Sequence, residues 1–138
     1  MSSFNDTEAT RKAAPSITRL VISSGDVIDS ILVTVNGTTD LPKHGGNGGG
    51  AHEIILAPGE FIKGIEGQKG EYFGANHLVT LKIITNHKTY GTFGSGAHAT
   101  SKTPFSKSAR TEVVAFSGET AKHTDGTEFI SSLDIVEK

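Results

Sequence analysis

The residues best suited to chemistry in this 138-residue chain are two carboxylates three positions apart, in Gly25-Asp26-Val27-Ile28-Asp29. They sit between two runs rich in Ile, Val, Leu and Thr, at the mouth of a turn where Gly25 admits a positive φ. Asp26 is accounted for as an ordinary turn residue. Asp29 is not, because it opens a β-type run and aspartate is depleted in strands. A second unusual feature is the run Lys43-His44-Gly45-Gly46-Asn47-Gly48-Gly49-Gly50. A phosphate-cradling loop would end in Gly-Lys-Ser/Thr and lead into a helix. Here Ala51-His52-Glu53-Ile54-Ile55-Leu56 follows, which reads as a strand. Two readings of the glycine run stay open: a flexible hairpin tip, or a backbone-donor cradle for a neutral polar ligand.

Other chemistries find no support. The six histidines (His44, His52, His77, His87, His98, His123) lack the short spacing of a compact zinc site, and there is no cysteine to supply a thiolate or a disulfide. No serine lies in a Gly-x-Ser-x-Gly elbow. A glycosidase needs two carboxylates flanking a bond from opposite sides, whereas Asp26 and Asp29 belong to one turn. The sequence therefore predicts a protein that is not an enzyme and uses neither metal nor cofactor.

The elements that must carry these residues are strands. Short β-branched runs recur at residues 17–22, 27–35, 52–56, 61–66, 77–85, 88–90, 112–116 and 128–136. Turn signals separate them, among them Ser24-Gly25-Asp26, Asn36-Gly37, Pro58-Gly59 and Gly67-Gln68-Lys69-Gly70. No window sustains a helical period, so the spacing predicts an all-β fold of antiparallel hairpins. The 17 glycines, well above the usual share of about 7%, fit many tight turns. Met1–Pro15 is polar and aperiodic and reads as a flexible or loosely docked arm, with one domain over residues 16–138. It lacks a signal-peptide centre and no apolar run is long enough to span a bilayer. Cytoplasmic residence or non-classical secretion is the expectation, without membrane insertion. A net charge of −2 argues against a nucleic-acid partner.

An internal repeat organises the strands. Val27-Ile28-Asp29-Ser30-Ile31, His77-Leu78-Val79-Thr80-Leu81 and Phe129-Ile130-Ser131-Ser132-Leu133 share one apolar pattern, and only the first keeps a carboxylate at its third position. The glycine run aligns with Tyr90-Gly91-Thr92-Phe93-Gly94-Ser95-Gly96, matching Gly45, Gly48 and Gly50 to Gly91, Gly94 and Gly96. Three units of about 40–45 residues fall short of the four blades a propeller needs, and suit three sheets arranged as a prism.

Taken together, the chain resembles the jacalin-related lectins of the mannose-binding type over about residues 16–136. The resemblance rests on Gly25–Ile31, on His44–Gly49 running into His52–Leu56, and on Pro58–Ile62. It continues through Leu81–Gly94, Thr103-Pro104-Phe105 and Val114–Gly118. It implies a β-prism of three four-stranded Greek-key sheets with pseudo-threefold symmetry. It also implies a sugar held where a Gly-x-x-x-Asp turn, here Gly25, Asp26, Val27, Ile28 and Asp29, meets a glycine loop, here Gly45, Gly46 and Asn47. The family's more usual site departs in this chain: Met1–Pro15 has no glycine and Ser131 stands at the aspartate position. One site per chain is therefore expected, for mannose- or glucose-type glycans. Asp29 would accept sugar hydroxyls, while the N–H groups of Asp26, Val27 and Gly46 would donate. Monosaccharide affinity on the order of millimolar, about −4 kcal/mol, would call for avidity from a homodimer or larger array. The alternative is a β-prism interaction or self-assembly module whose sugar site is vestigial.

Overall fold

The computed structural model describes residues 2–5, 17–37 and 39–137, and every regular element among them is a strand. In chain order these are β1 (Ser2–Asn5), β2 (Ile17–Ser24), β3 (Ile28–Val35), β4 (Thr39–Asp40), β5 (His44–Gly45) and β6 (Gly50–Ile55). They continue with β7 (Ile62–Tyr72), β8 (Ala75–Thr85), β9 (Thr89–Phe93), β10 (Thr100–Ser108), β11 (Val113–Lys122) and β12 (Glu128–Glu137).

Three antiparallel sheets result, ordered β4-β3-β2-β6, β10-β7-β8-β9 and β1-β11-β12, with β5 also paired to β3. The first has five strands but is four positions wide. β4 lies beside Thr34 and Val35 and β5 beside Ser30 and Ile31, so both run along the same edge of β3. The third has three strands among the described residues rather than the expected four.

The repeated segments fall on β3, β8 and β12, and these three strands contact one another. Their inward residues form the middle of the core: Ile28, Ile31, Leu78, Leu81, Ile130 and Leu133 are all buried. Each such side chain contributes about 1.5–3 kcal/mol on leaving water. An all-β prism around one apolar axis is what the pattern predicted.

Several local expectations need correction. Residues 2–5, expected to belong to a flexible or loosely docked arm, form an edge strand: they pair with Ser117–Thr120 of β11, which otherwise presents an open row of N–H and C=O groups. Residues 6–15 of the predicted arm, with Met1 and Ser16, lie outside the described residues. Gly67–Gly70 is not a turn. β7 continues through it, with a register irregularity between Gln68 and Lys69, and the hairpin turns at Phe73-Gly74 instead. A Cβ at Gly67 would collide with the Thr80 carbonyl of the neighbouring strand, so glycine here allows close strand approach. β10 went unseen because it is an exposed edge strand containing Pro104, with no apolar alternation to mark it.

The glycine correspondence also shifts. Gly45 stands opposite Ser30, with its missing Cβ aimed at the Asp29 carbonyl. Gly94 holds the same relation to the carbonyl of Val79, the repeat equivalent of Asp29. Gly45 therefore matches Gly94 and not Gly91.

Candidate functional site

Gly25, Asp26 and Val27 form the bend between β2 and β3, and Asp29 is the second residue of β3. Ile28 points into the core and is fully buried, so its contribution to the site is backbone only. Val27 is buried in a small satellite cluster with Val79 and Ala99, against which Tyr72 packs.

Asp29 is half-buried, and burial pushes its carboxyl above the usual range; nearby Asp26 adds to this and His123 opposes it. No hydrogen-bond donor among the described residues reaches its side chain. A half-buried acceptor without a protein partner is left to water or to a ligand. Asp26 is the opposite case. Its carboxylate accepts from Tyr72 Oη (3.1 Å), Ser95 Oγ (3.1 Å) and His98 Nδ1 (2.8 Å). The bonds from His98 and Ser95, ahead of the others, hold its carboxyl below the usual carboxylate range. The backbone N–H groups of Asp26 and Val27 enter no turn or loop hydrogen bond among the described residues.

The wall facing Asp29 is the second glycine pair of the run. A Cβ built on Gly48 would stand 3.0 Å from Asp29 Oδ1, and one on Gly49 2.5 Å from Oδ2. Gly49 also has φ +75° and lies tight against the backbone of Ser24, so only glycine suits it. The expected pair, Gly45-Gly46, serves the scaffold instead. Gly46 N–H donates to the Asp29 carbonyl at 2.9 Å, and a Cβ there would strike the Glu128 carbonyl. The expectation that Gly46 N–H meets a ligand is thus corrected: the ladder already uses it. Asn47 sits exposed at the tip, its Oδ1 taken by Lys43 Nζ at 2.6 Å. Between the two open readings of the run, the structure shows an ordered wall packed on Asp29.

Asp29 opens into a cleft of about 650 Å³ that sequence reasoning missed. Tyr72 and Phe73 of the β7–β8 hairpin form one side, and Lys122, His123 and Asp125 the other. Phe73 is 80% exposed and adopts φ +49°, a conformation costly for a large side chain, at the hairpin tip. Its only sequence signal is an aromatic residue beside a turn glycine. Behind the cleft His77 is fully buried and stacks on Phe129 with ring centroids 3.7 Å apart. Its Nδ1–H donates to the Ala75 carbonyl (2.8 Å), which leaves Nε2 to accept from His123 Nε2 at 3.3 Å. Burial, ahead of the other influences, lowers the proton affinity of His77.

Ser131 is not among the residues that line this cleft, and its hydroxyl donates to the Glu119 carbonyl at 3.2 Å. No group of three or more His, Asp or Glu side chains among the described residues could hold a metal ion.

Comparison with known proteins resolves the family. The model of the jacalin-like lectin domain matches residues 3–130, nearly the whole chain. The chain belongs to the jacalin-like lectin family. The match begins at Ser3, within β1 and inside the stretch expected to be an arm outside the domain. Members of this family bind carbohydrate and are not enzymes. Horcolin of Hordeum vulgare is 37% identical over 83 residues, 56% of each chain. A mannose/glucose-specific lectin of Parkia platycephala is 34% identical over 122 residues, 83% of this chain and 27% of that one. The chain thus spans about half the length of the barley relative and about a quarter of the Parkia lectin. Among solved structures, Malaysian banana lectin superposes with a TM-score of 0.75 at 29% identity, covering 97% of this chain and 87% of that one. A mannose-binding jacalin-related lectin from Ananas comosus gives 0.71 at 30% identity, covering 87% and 80%.

Proposed function

We propose that this jacalin-like lectin binds mannose- or glucose-type glycans at the Asp29 cleft, without metal or catalysis. The observation that carries the reading is the Asp29 carboxylate, half-buried, unpartnered and facing a glycine wall. A pyranose supplies what is missing there. Two of its hydroxyls donate to Asp29, each charged hydrogen bond worth about 1.5–3 kcal/mol. The Asp26 and Val27 N–H groups donate to the ring oxygen and the primary hydroxyl. The bare backbone at Gly48 and Gly49 lets a sugar face come close, which any side chain there would prevent.

Relatives described as mannose-binding or mannose/glucose-specific support this choice of sugar. The alternative, an interaction module with a vestigial site, leaves the unpartnered carboxylate unexplained. Competition titration separates the readings: mannose and glucose should outcompete galactose, with dissociation constants near millimolar. Equal or better competition by galactose would overturn the assigned specificity, and failure of all three would leave the interaction module standing.

A further inference from the structure

The loop after β9 does more than connect strands. Ser95 N–H donates to the Gly25 carbonyl (2.9 Å) and Gly96 N–H to the Asp26 carbonyl (2.8 Å), so the second unit's backbone docks on the first unit's turn. Side chains double the attachment, since Ser95 Oγ and His98 Nδ1 both donate to the Asp26 carboxylate. Tyr72 adds a third donor from the cleft side. Ala99 closes the loop by packing on Val27 and Val79, and Ala99 N–H returns to the Gly96 carbonyl at 3.2 Å. Lys102 Nζ reaches the same carbonyl at 3.4 Å.

This geometry is selective in what it occupies. Both carbonyls and the carboxylate of Gly25-Asp26 are engaged, while the N–H groups of Asp26 and Val27 are not. A bend carrying a glycine has backbone freedom that would blur the direction of those donors. Fixing the acceptor side fixes the donor side, because the peptide unit is planar.

We infer that Gly94–Ala99 is a clamp that aims the Asp26 and Val27 N–H groups at the ligand, with Ser95 and His98 as its positioning residues. The inference rests on the carbohydrate-binding reading of the Asp29 cleft. Neither residue is among those that line the cleft, so both act through Asp26. His98 is 74% exposed on its side chain, so its loss should not disturb the core.

The test compares the parent with His98→Ala, His98→Asn and the double variant Ser95→Ala/His98→Ala. Asparagine can present a side-chain N–H near the position of Nδ1. Amide hydrogen exchange at Ser95 and Gly96, read without ligand, reports whether the clamp is closed. Titration with methyl α-mannoside reports its consequence. His98→Ala should speed exchange at both amides and weaken binding about three- to fivefold, the double variant about tenfold, with melting temperature unchanged within about 2 °C. His98→Asn should restore both readouts toward the parent. If the parent binds, and Asp29→Ala abolishes binding, but the double variant exchanges and binds like the parent, the clamp is overturned while the site stands. If the parent binds neither mannose nor glucose, the reading of the site fails and takes the clamp's ligand-aiming role with it.

Discussion

The Asp29 carboxylate lies directly against Gly48: a methyl group there would stand 3.0 Å from Oδ1 and 3.3 Å from Cγ, and would meet nothing else as close. This makes Gly48→Ala a selective probe. The backbone at Gly48 is not in the left-handed region, and the obstructing atoms belong to a side chain that can swing away. The variant should fold with a melting temperature within a few degrees of the parent, about the range of a surface substitution. Titration should show at least about tenfold weaker mannoside binding, since the carboxylate moves and the methyl covers the open wall. Gly49→Ala should differ by losing stability, because its φ of +75° and the Ser24 backbone leave no room to relax.

Acid should weaken binding earlier than an ordinary carboxylate would. Burial raises the Asp29 carboxyl, and only the ionised form accepts from two hydroxyls. Affinity measured from about pH 7.5 downward should therefore begin to fall above the usual aspartate range near 4. The sign for stability is opposite. A carboxyl raised in the folded state contributes most below its unfolded value, and that contribution is lost as pH rises through the raised value. Acid should thus weaken binding while protonation of Asp29 itself favours the folded state. Affinity that is flat down to about pH 4 would contradict the assignment.

His77 makes the fold itself sensitive to acid. Its proton affinity is lowered by burial, so the unfolded chain takes up the proton first. The stability it confers is present above the unfolded value near 6.5 and is lost as pH falls toward the lowered folded value. Thermal melts should show the parent losing stability as pH falls below about 6.5. His77→Gln should be less stable at neutral pH, through lost stacking on Phe129, but should fall less steeply with acid. A parallel decline in both proteins would place the acid sensitivity elsewhere.

The sequence carried the fold further than the site. Three segments with one apolar pattern, at residues 27, 77 and 129, were enough to place the prism's central strands, because burial on a shared axis imposes that pattern. β10 and β1 left no such trace, since an exposed edge strand is held by backbone hydrogen bonds that any polar residue can make. Asp29 stood out as a charge in a strand. Which glycines face it did not, because five of the six positions from Gly45 to Gly50 are glycine and only register distinguishes them. Gly45 and Gly46 proved to be spent on strand contacts, leaving Gly48 and Gly49 for the wall. The Tyr72, Phe73 and His123 lining comes from units distant in sequence and is assembled only by the closing of the prism.

The most direct test of the central claim is calorimetric titration of Asp29→Ala with methyl α-mannoside, beside the parent and Ser131→Ala. Removing the carboxylate deletes a charged acceptor worth about 1.5–3 kcal/mol, roughly 10- to 150-fold in affinity, which carries a millimolar site beyond detection. The melt should be unchanged or slightly raised, because the lost group is an unpaired, partly buried charge. Ser131→Ala, which removes a hydroxyl that donates to the Glu119 carbonyl, should bind like the parent. Asp29→Ala binding with parental affinity would contradict the account, and doubly so if Ser131→Ala were the variant that lost it.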